Sequence, residues 1–211
     1  MSNSALFTID VPRAVLELHR FCSVDESREN LTRIHITCNR QSATNGHVLG
    51  VTEYSIGVGL TNETWQALSG VGDLFIPGKI AKAALQGNTP KDKYCYQLEY
   101  APNCISLVTR LVVIVGETDG PIVSTQVIDV DSQEGAFPDI TQVIPKEGEY
   151  KDVKEIGLDL ALLDLFHRFL KRVDAGGGTR FRFTGDCGPA IASRTLLDGT
   201  ETYFIIMPIR L

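Results

Sequence analysis

Several features that would assign this chain to a definite class are missing from its sequence. No window approaches the roughly 18 consecutive apolar residues of a membrane-spanning helix. The opening stretch MSNSALFTID lacks the basic region followed by an apolar one that marks a secretory signal. The cysteines form no CxxC pair, and their odd number does not suit a disulfide framework. They are Cys22, Cys38, Cys95, Cys104 and Cys187. We therefore expect a cytoplasmic protein with no membrane partner, whose cysteines are small buried apolar residues.

Catalytic motifs are missing as well. The glycine-rich stretch AGGGT at 175–179 lacks the Lys-Ser/Thr ending of a phosphate-binding loop, and GxSxG and HExxH do not occur. Asp186 beside Cys187 stands alone, and His47 has no second His, Asp or Cys near it at metal-ligand spacing. The sequence therefore predicts no enzyme, no cofactor and no metal site.

An excess of positive charge is also absent. The chain has 20 Lys and Arg against 26 Asp and Glu, a formal charge of −6, which argues against a surface generally coated with nucleic acid. It has no zinc finger, RNP-like aromatic motif or arginine-rich arm, so base-specific reading is not expected. With 43% apolar and 22% charged residues over 211 positions, the composition is typical of a globular chain of one or two domains.

What the sequence does contain is a repeat. The stretches 6–22, 73–87 and 155–173 each read as a short strand, a turn with Pro, Gly or Asp, and an amphipathic helix. Segments that alternate or run apolar and β-branched follow each helix, separated by turns such as Asn45-Gly46. The plan is βαβββ, three times over. We expect an α+β fold with residues 1–130 as one complete two-unit domain, 131–154 as a linker and 155–211 as a half-domain.

Charge is distributed unevenly among these elements. The predicted helices carry seven cations and four acidic residues, a net of +3, which leaves −9 for the rest of the chain. The cations are Arg13, Arg20, Lys79, Lys82, Arg168, Lys171 and Arg172. Such a split suits helices that face a polyanion while the outer surface stays acidic. The same charges also suit helices whose outer faces are simply solvated.

Four stretches resemble one known family. YFIIMPIRL (203–211), ATNGHVLGV (43–51), FPDITQVIPK (137–146) and LFIPGKIAKAAL (74–85) are similar to the bacterial replicative sliding clamp, the β subunit of DNA polymerase III. The resemblance matches that family's middle domain and the second half of its last domain. It implies a DNA-clamp-like fold of three units, about one and a half clamp domains.

The resemblance also implies a function. In that family βαβββ units form a ring, their helices line a hole for duplex DNA, and a pocket holds short peptides from polymerases and the clamp loader. The matching pocket positions are Leu31, Thr44, Gly46, His47, Leu49, Pro138, Val143, Ile205, Met207, Pro208, Ile209 and Arg210. Val48 departs from the family, which usually has Arg there, so a polar contact from that position is not implied.

The apolar tail from Phe204 to Leu211 fits this pocket in two ways. Ile, Met and Pro supply an apolar wall for an extended peptide, and Met adapts to different ligands. Alternatively the tail only completes the core of the third unit. The two interpretations overlap, because a strand can face the core on one side and end at a pocket.

Two functions remain open at this point. The first is a sliding-clamp-like processivity protein that tethers duplex DNA without sequence specificity and recruits replication partners through the pocket. The second is a non-encircling clamp mimic that captures clamp-binding peptides and modulates or inhibits a replication machine. Because the third unit lacks an intrachain mate, we expect it to pair with its copy about a two-fold axis, giving a dimer or a tetramer.

Overall fold

The described strands form two antiparallel sheets. The computed structural model describes residues 7–37, 39–53, 73–87, 94–101, 104–111, 120–128, 136–173, 178–197 and 199–209. The elements in chain order are β1 (Phe7–Asp10), α1 (Arg13–Glu17), β2 (Arg33–Ile36), β3 (Gln41–Thr44), β4 (Val48–Glu53), β5 (Leu74–Pro77), α2 (Gly78–Ala84), β6 (Tyr94–Ala101), β7 (Cys104–Leu111), β8 (Ile122–Ile128), α3 (Leu160–Val173), β9 (Arg180–Phe183), β10 (Ala190–Thr195) and β11 (Glu201–Ile206). Short 3-10 segments lie at Leu18–Phe21, Glu26–Leu31 and Ile140–Gln142.

The first two repeats exchange their first strands. One sheet has the order β1-β6-β7-β8, so the first strand of unit one extends the sheet of unit two. The other has the order β5-β2-β3-β4-β11-β10-β9, so the first strand of unit two extends the sheet of unit one. The two units are therefore interlocked, and the α+β organisation expected from the repeats is present.

The third repeat differs from the predicted plan at its start. Instead of a strand before α3, the described residues show one isolated bridge, between Gly157 and Ile209. In units one and two the first strand is held by the sheet of the neighbouring unit. Unit three has no such neighbour among the described residues, so its leading segment turns back onto the tail of the chain.

Strands β4 and β11 join the first and third units into one sheet. Six residue pairs, from Val48 opposite Ile206 to Glu53 opposite Glu201, form this antiparallel joint. The helices lie together on one side, with α1 packed against both α2 and α3. The division into 1–130, 131–154 and 155–211 stays a prediction, because a continuous sheet does not say whether its parts fold separately.

An aromatic cluster fills the core beneath this joint. The ring of Phe204 on β11 lies 4.9 Å from Phe21, 4.0 Å from Phe166 and 5.1 Å from Phe169, measured between centroids. A Cβ atom at position 50 of β4 would lie 2.5 Å from Cδ2 of Phe21, so only glycine lets the ring approach the strand this closely. The cluster therefore ties the first unit to the third.

The cysteines divide by burial. Cys22 is buried, and burial raises the pKa of its thiol to about 12. Cys95 is partly buried and Cys187 is exposed, so the expectation that all five are buried is wrong for Cys187, which lies in the turn after β9. Cys38 lies outside the described residues, and so does the side chain of Cys104.

Candidate functional site

A small pocket opens where four separate segments meet. The 3-10 segment Glu26–Leu31, the β3–β4 hairpin, the middle of the predicted linker and the end of β11 enclose about 250 Å³. Nine of the twelve positions predicted for peptide binding line it. They are Leu31, Thr44, Gly46, His47, Leu49, Pro138, Val143, Ile205 and Met207. Residues far apart in sequence are thus brought together on the outer side of the seven-stranded sheet.

The hairpin wall is built by local hydrogen bonds. The Asn45 Oδ1 atom accepts from the backbone N–H groups of His47 at 2.9 Å and Val48 at 3.1 Å. The Thr44 hydroxyl donates to the carbonyl of Val48 at 2.8 Å and accepts from the N–H of Gly46 at 3.0 Å. Gly46 has a φ of 93°, which favours glycine. This tight turn holds the exposed His47 at the pocket rim.

The linker wall is a capped 3-10 turn. The Asp139 carboxylate accepts from the N–H of Thr141 at 3.0 Å, from its hydroxyl at 2.6 Å and from the Gln142 amide at 3.1 Å. These hydrogen bonds lower the pKa of Asp139, so the rim keeps a negative charge well into acidic pH. Pro138 and Val143 flank the turn and face the pocket.

The pocket floor is apolar and buried. Leu49 on β4 and Ile205 on β11 lie opposite each other in the joint and are 4% and 3% exposed. They form a small core on the outer face of the sheet with Val51 and Ile191, covered in part by Ile140. A floor of this kind offers no hydrogen bonds and favours an apolar ligand group.

The tail of the chain contributes both to the main core and to the pocket wall. Phe204 and Ile206 point into the main core, whereas Ile205 and Met207 line the pocket. Met207 is 47% exposed, and Ile209 donates its N–H to the carbonyl of Gly157 at 2.9 Å. Pro208 and Ile209 thus leave the pocket wall, and Arg210 lies outside the described residues.

Four further residues line the pocket but were not among the predicted positions. They are Arg28, Val48, Asp139 and Ile140. Arg28 donates to the carbonyl of Asn45 at 3.3 Å. It lies at a kink within Glu26–Leu31, so no regular spacing in the sequence could have identified it. The Val48 side chain is buried in the main core and carries no charge. The cation at the pocket rim is Arg28.

A larger cavity of about 700 Å³ lies further along β11, on the same face of the sheet. Several of its polar groups pair with one another. The Glu53 carboxylate accepts two hydrogen bonds from Arg40, at 3.0 and 2.8 Å, and one from the Tyr203 hydroxyl at 3.0 Å. Burial and the Glu53 charge raise the pKa of Tyr203, which keeps it a donor. Arg182 stacks over Tyr150 at 4.2 Å. The Arg182–Tyr150 contact joins the predicted linker to β9 at this cavity.

The seven predicted DNA-contacting cations fall into three groups. Arg13 and Arg20 both bind the buried carboxylate of Glu17, at 3.3 and 2.9 Å, and are only 18% and 21% exposed. Arg168 pairs with Asp164 at 2.7 Å on the surface of α3. The remaining four are exposed, and no ion pair is recorded for them among the described residues. They are Lys79, Lys82, Lys171 and Arg172.

The described residues contain no group of three or more His, Cys, Asp or Glu side chains arranged to hold a metal ion. None of the described helices is long and apolar enough to cross a membrane.

The sequence matches no family model and no curated protein. The structure matches solved sliding clamps. The Helicobacter pylori β clamp bound to a DNA ligase peptide matches with a TM-score of 0.61 at 11% identity, covering 100% of this chain and 67% of that one. The DNA polymerase III subunit beta from Pseudomonas aeruginosa matches with a TM-score of 0.59 at 12% identity, covering 100% and 68%.

The Bartonella birtlesii sliding clamp bound to griselimycin matches with a TM-score of 0.58 at 15% identity, covering 100% and 68%. This chain therefore spans about two thirds of the length of the clamps it matches. The interlocked units, the joint between β4 and β11 and these matches lead to one conclusion: the chain has the fold of the bacterial DNA polymerase III β sliding clamps.

Proposed function

We propose that this chain is a sliding-clamp-like DNA-tethering protein of the cytoplasm. It grips duplex DNA without sequence specificity and recruits DNA polymerase or clamp-loader peptides through the 250 Å³ pocket. The observation that carries the proposal is the convergence of hairpin, linker and tail on one apolar floor with polar groups at its rim. An extended peptide with an apolar anchor needs a surface of this type.

The pocket lining indicates which peptides it takes. Leu49 and Ile205 accept aliphatic or aromatic anchors, and the half-exposed thioether of Met207 can adapt to more than one shape. The Arg28 guanidinium and the Asp139 carboxylate stand at the rim and can hold an amide group from either side. A motif that combines Gln with Leu-Phe fits this arrangement.

Replacing Met207 with Glu is expected to weaken binding of a fluorescent peptide that carries such a motif by at least about tenfold, because it places a charge beside the apolar anchor. Fluorescence anisotropy measures the effect. The matched control is Leu197→Glu, since Leu197 is 89% exposed in the turn between β10 and β11, away from the pocket. No binding to the unmodified chain, or equal losses in both variants, would overturn the pocket assignment.

The DNA part of the proposal rests on the helix side. Phosphate contacts position a protein without specifying sequence, which suits a sliding tether. Lys79, Lys82, Lys171 and Arg172 are exposed on α2 and α3 and available for such contacts. Arg13 and Arg20 contribute less, because Glu17 neutralises one of the two charges.

Reversing the charges of Arg168, Lys171 and Arg172 to Glu is expected to weaken DNA binding and to flatten its salt dependence. The slope of log affinity against log salt should lose about 0.9 for each phosphate contact removed. Reversal of the exposed linker residues Lys146 and Lys151 serves as the control. A slope that is the same in both variants would exclude the helix face as the DNA-binding surface.

The clamp mimic remains the second candidate function. It is favoured by the outer edge of β9 in unit three, which pairs with no further described strand. We propose that unit three meets its own copy across a two-fold axis in the tether, whereas the mimic needs no such contact. Retention on circular but not linearised DNA separates the two, because only a closed assembly is released at a free DNA end.

A further inference from the structure

The cavity of about 700 Å³ beside the pocket is rich in cations. Four arginines and three glutamates line it, although the whole chain has a formal charge of −6. The arginines are Arg40, Arg180, Arg182 and Arg194, and the glutamates are Glu53, Glu147 and Glu201. A local excess of cations on an otherwise acidic protein attracts anionic ligands to that one place.

One side of this cavity, on β4 and β11, is already paired. The Glu53 carboxylate accepts two hydrogen bonds from Arg40 and a third from the Tyr203 hydroxyl. An arginine held by a carboxylate in this way has little attraction left for another anion. A ligand would therefore be bound by the opposite side of the cavity.

That opposite side, on β9, has cations that lack strong partners. Arg180 is exposed, and no hydrogen bond or ion pair is recorded for its guanidinium among the described residues. The Nε atom of Arg182 is buried and has no hydrogen-bond partner among them either. The ion pair of Arg182 with Glu147 is 3.7 Å long, and the Glu147 side chain is 91% exposed. Such a pair is weak and opens readily.

The spacing of the two arginines indicates the shape of the ligand. Arg180 and Arg182 are two residues apart on β9, and both line the cavity. Alternate side chains of a strand lie on one face, about 7 Å apart. Alternate side chains of an extended peptide have the same spacing, so two carboxylates at such positions match the two guanidinium groups. Arginine binds carboxylates with paired N–H donors.

We propose that this cavity binds an extended acidic segment of a partner protein, with Asp or Glu at alternate positions paired to Arg180 and Arg182. Glu147 acts as a weak internal competitor for Arg182, which the segment displaces. Ile205 alone among the described residues lines both this cavity and the 250 Å³ pocket. The acidic segment therefore does not need the apolar pocket, and the two sites can be tested separately.

A fluorescent peptide of about eight residues with Glu at alternate positions and no apolar side chain tests the proposal. The control peptide has Gln in place of each Glu and the same label. Fluorescence anisotropy at about 50 mM salt measures binding, because higher salt screens the contact. The unmodified chain should bind the Glu peptide at least about tenfold more tightly than the Gln peptide.

Three variants separate this cavity from the other cations of the chain. Arg180→Gln is expected to weaken binding of the Glu peptide about tenfold, because it removes one charged hydrogen-bonding partner. Glu147→Gln is expected to strengthen it about threefold, since the competing carboxylate is gone. The control is Arg172→Gln, which removes the same charge from an exposed position on α3 and should change nothing. Arg182→Gln is less decisive, because it also removes the contact with Tyr150.

Four results would overturn the proposal. They are no binding of the Glu peptide, equal affinity for the two peptides, equal losses in Arg180→Gln and Arg172→Gln, and displacement of the Glu peptide by inorganic phosphate but not by chloride at the same ionic strength. The third would mean that binding follows total charge, and the fourth that the cavity is a phosphate site. Circular dichroism reports whether each variant is folded. Binding of the Gln-plus-Leu-Phe peptide to the apolar pocket has no bearing on these results.

Discussion

Replacing Phe204 with alanine is expected to lower the free energy of unfolding by about 4 kcal/mol. The ring is completely buried and contacts the rings of Phe21, Phe166 and Phe169, so the variant loses apolar burial and leaves a cavity between units one and three. Aromatic pairs of this type add about 0.5–1.5 kcal/mol each beyond the area they bury. Urea unfolding followed by circular dichroism measures the change as a lower midpoint at a similar m-value.

The matched control for this prediction lies two strands away. Phe181 on β9 shares a row with Ala192 and Phe204 across the sheet but is 43% exposed. Phe181→Ala should therefore cost about 1 kcal/mol or less. Equal losses of stability in the two variants would contradict the conclusion that Phe204 stabilises the packing of unit one against unit three.

Replacing Glu17 with glutamine is expected to cost about 3 kcal/mol of stability. The Glu17 side chain is 1% exposed and binds both Arg13 and Arg20, so the uncharged variant removes the buried carboxylate that these two largely buried cations share. We expect a loss of stability at the low end of the range for a buried ion pair, because both guanidinium groups keep some contact with water. Chemical unfolding at low and high salt measures it.

A surface pair on another helix provides the comparison. Asp164 and Arg168 are 2.7 Å apart on α3, but their side chains are 45% and 63% exposed. Asp164→Asn should change stability by no more than about 0.5 kcal/mol, because water and salt screen the pair. If Glu17→Gln were equally mild, the shared carboxylate would not hold Arg13 and Arg20 in place, and both could serve as DNA contacts after all.

Much of the fold could be predicted from the sequence because its signals are local. The apolar stripe of α3 and the repeated strand-turn-helix pattern needed only neighbouring residues. The exchange of β1 and β5 between units could not be predicted this way, since pairing between distant strands depends on tertiary packing. The bridge from Gly157 to Ile209 in place of a strand has the same origin.

The residues of the site also differ in how far the sequence could predict them. The pocket residues were suggested by resemblance rather than by spacing, because hairpin, linker and tail meet only in the folded chain. The burial of Glu17 was missed although its spacing of four from Arg13 and three from Arg20 was visible in the sequence. A sum of charges over each predicted helix treats these two arginines as free cations, whereas in the structure they share one carboxylate.

The odd number of units affects how successive copies of the chain are oriented in an assembly. Three units leave the chain with two unlike ends, the β8 edge and the β9 edge of unit three. If each end meets only its own kind, successive copies alternate in direction, and a closed assembly requires an even number of chains. With the two-fold axes in its plane, such an assembly has no front or back. Half of its peptide pockets would open on each side, so a partner could approach the DNA from either direction.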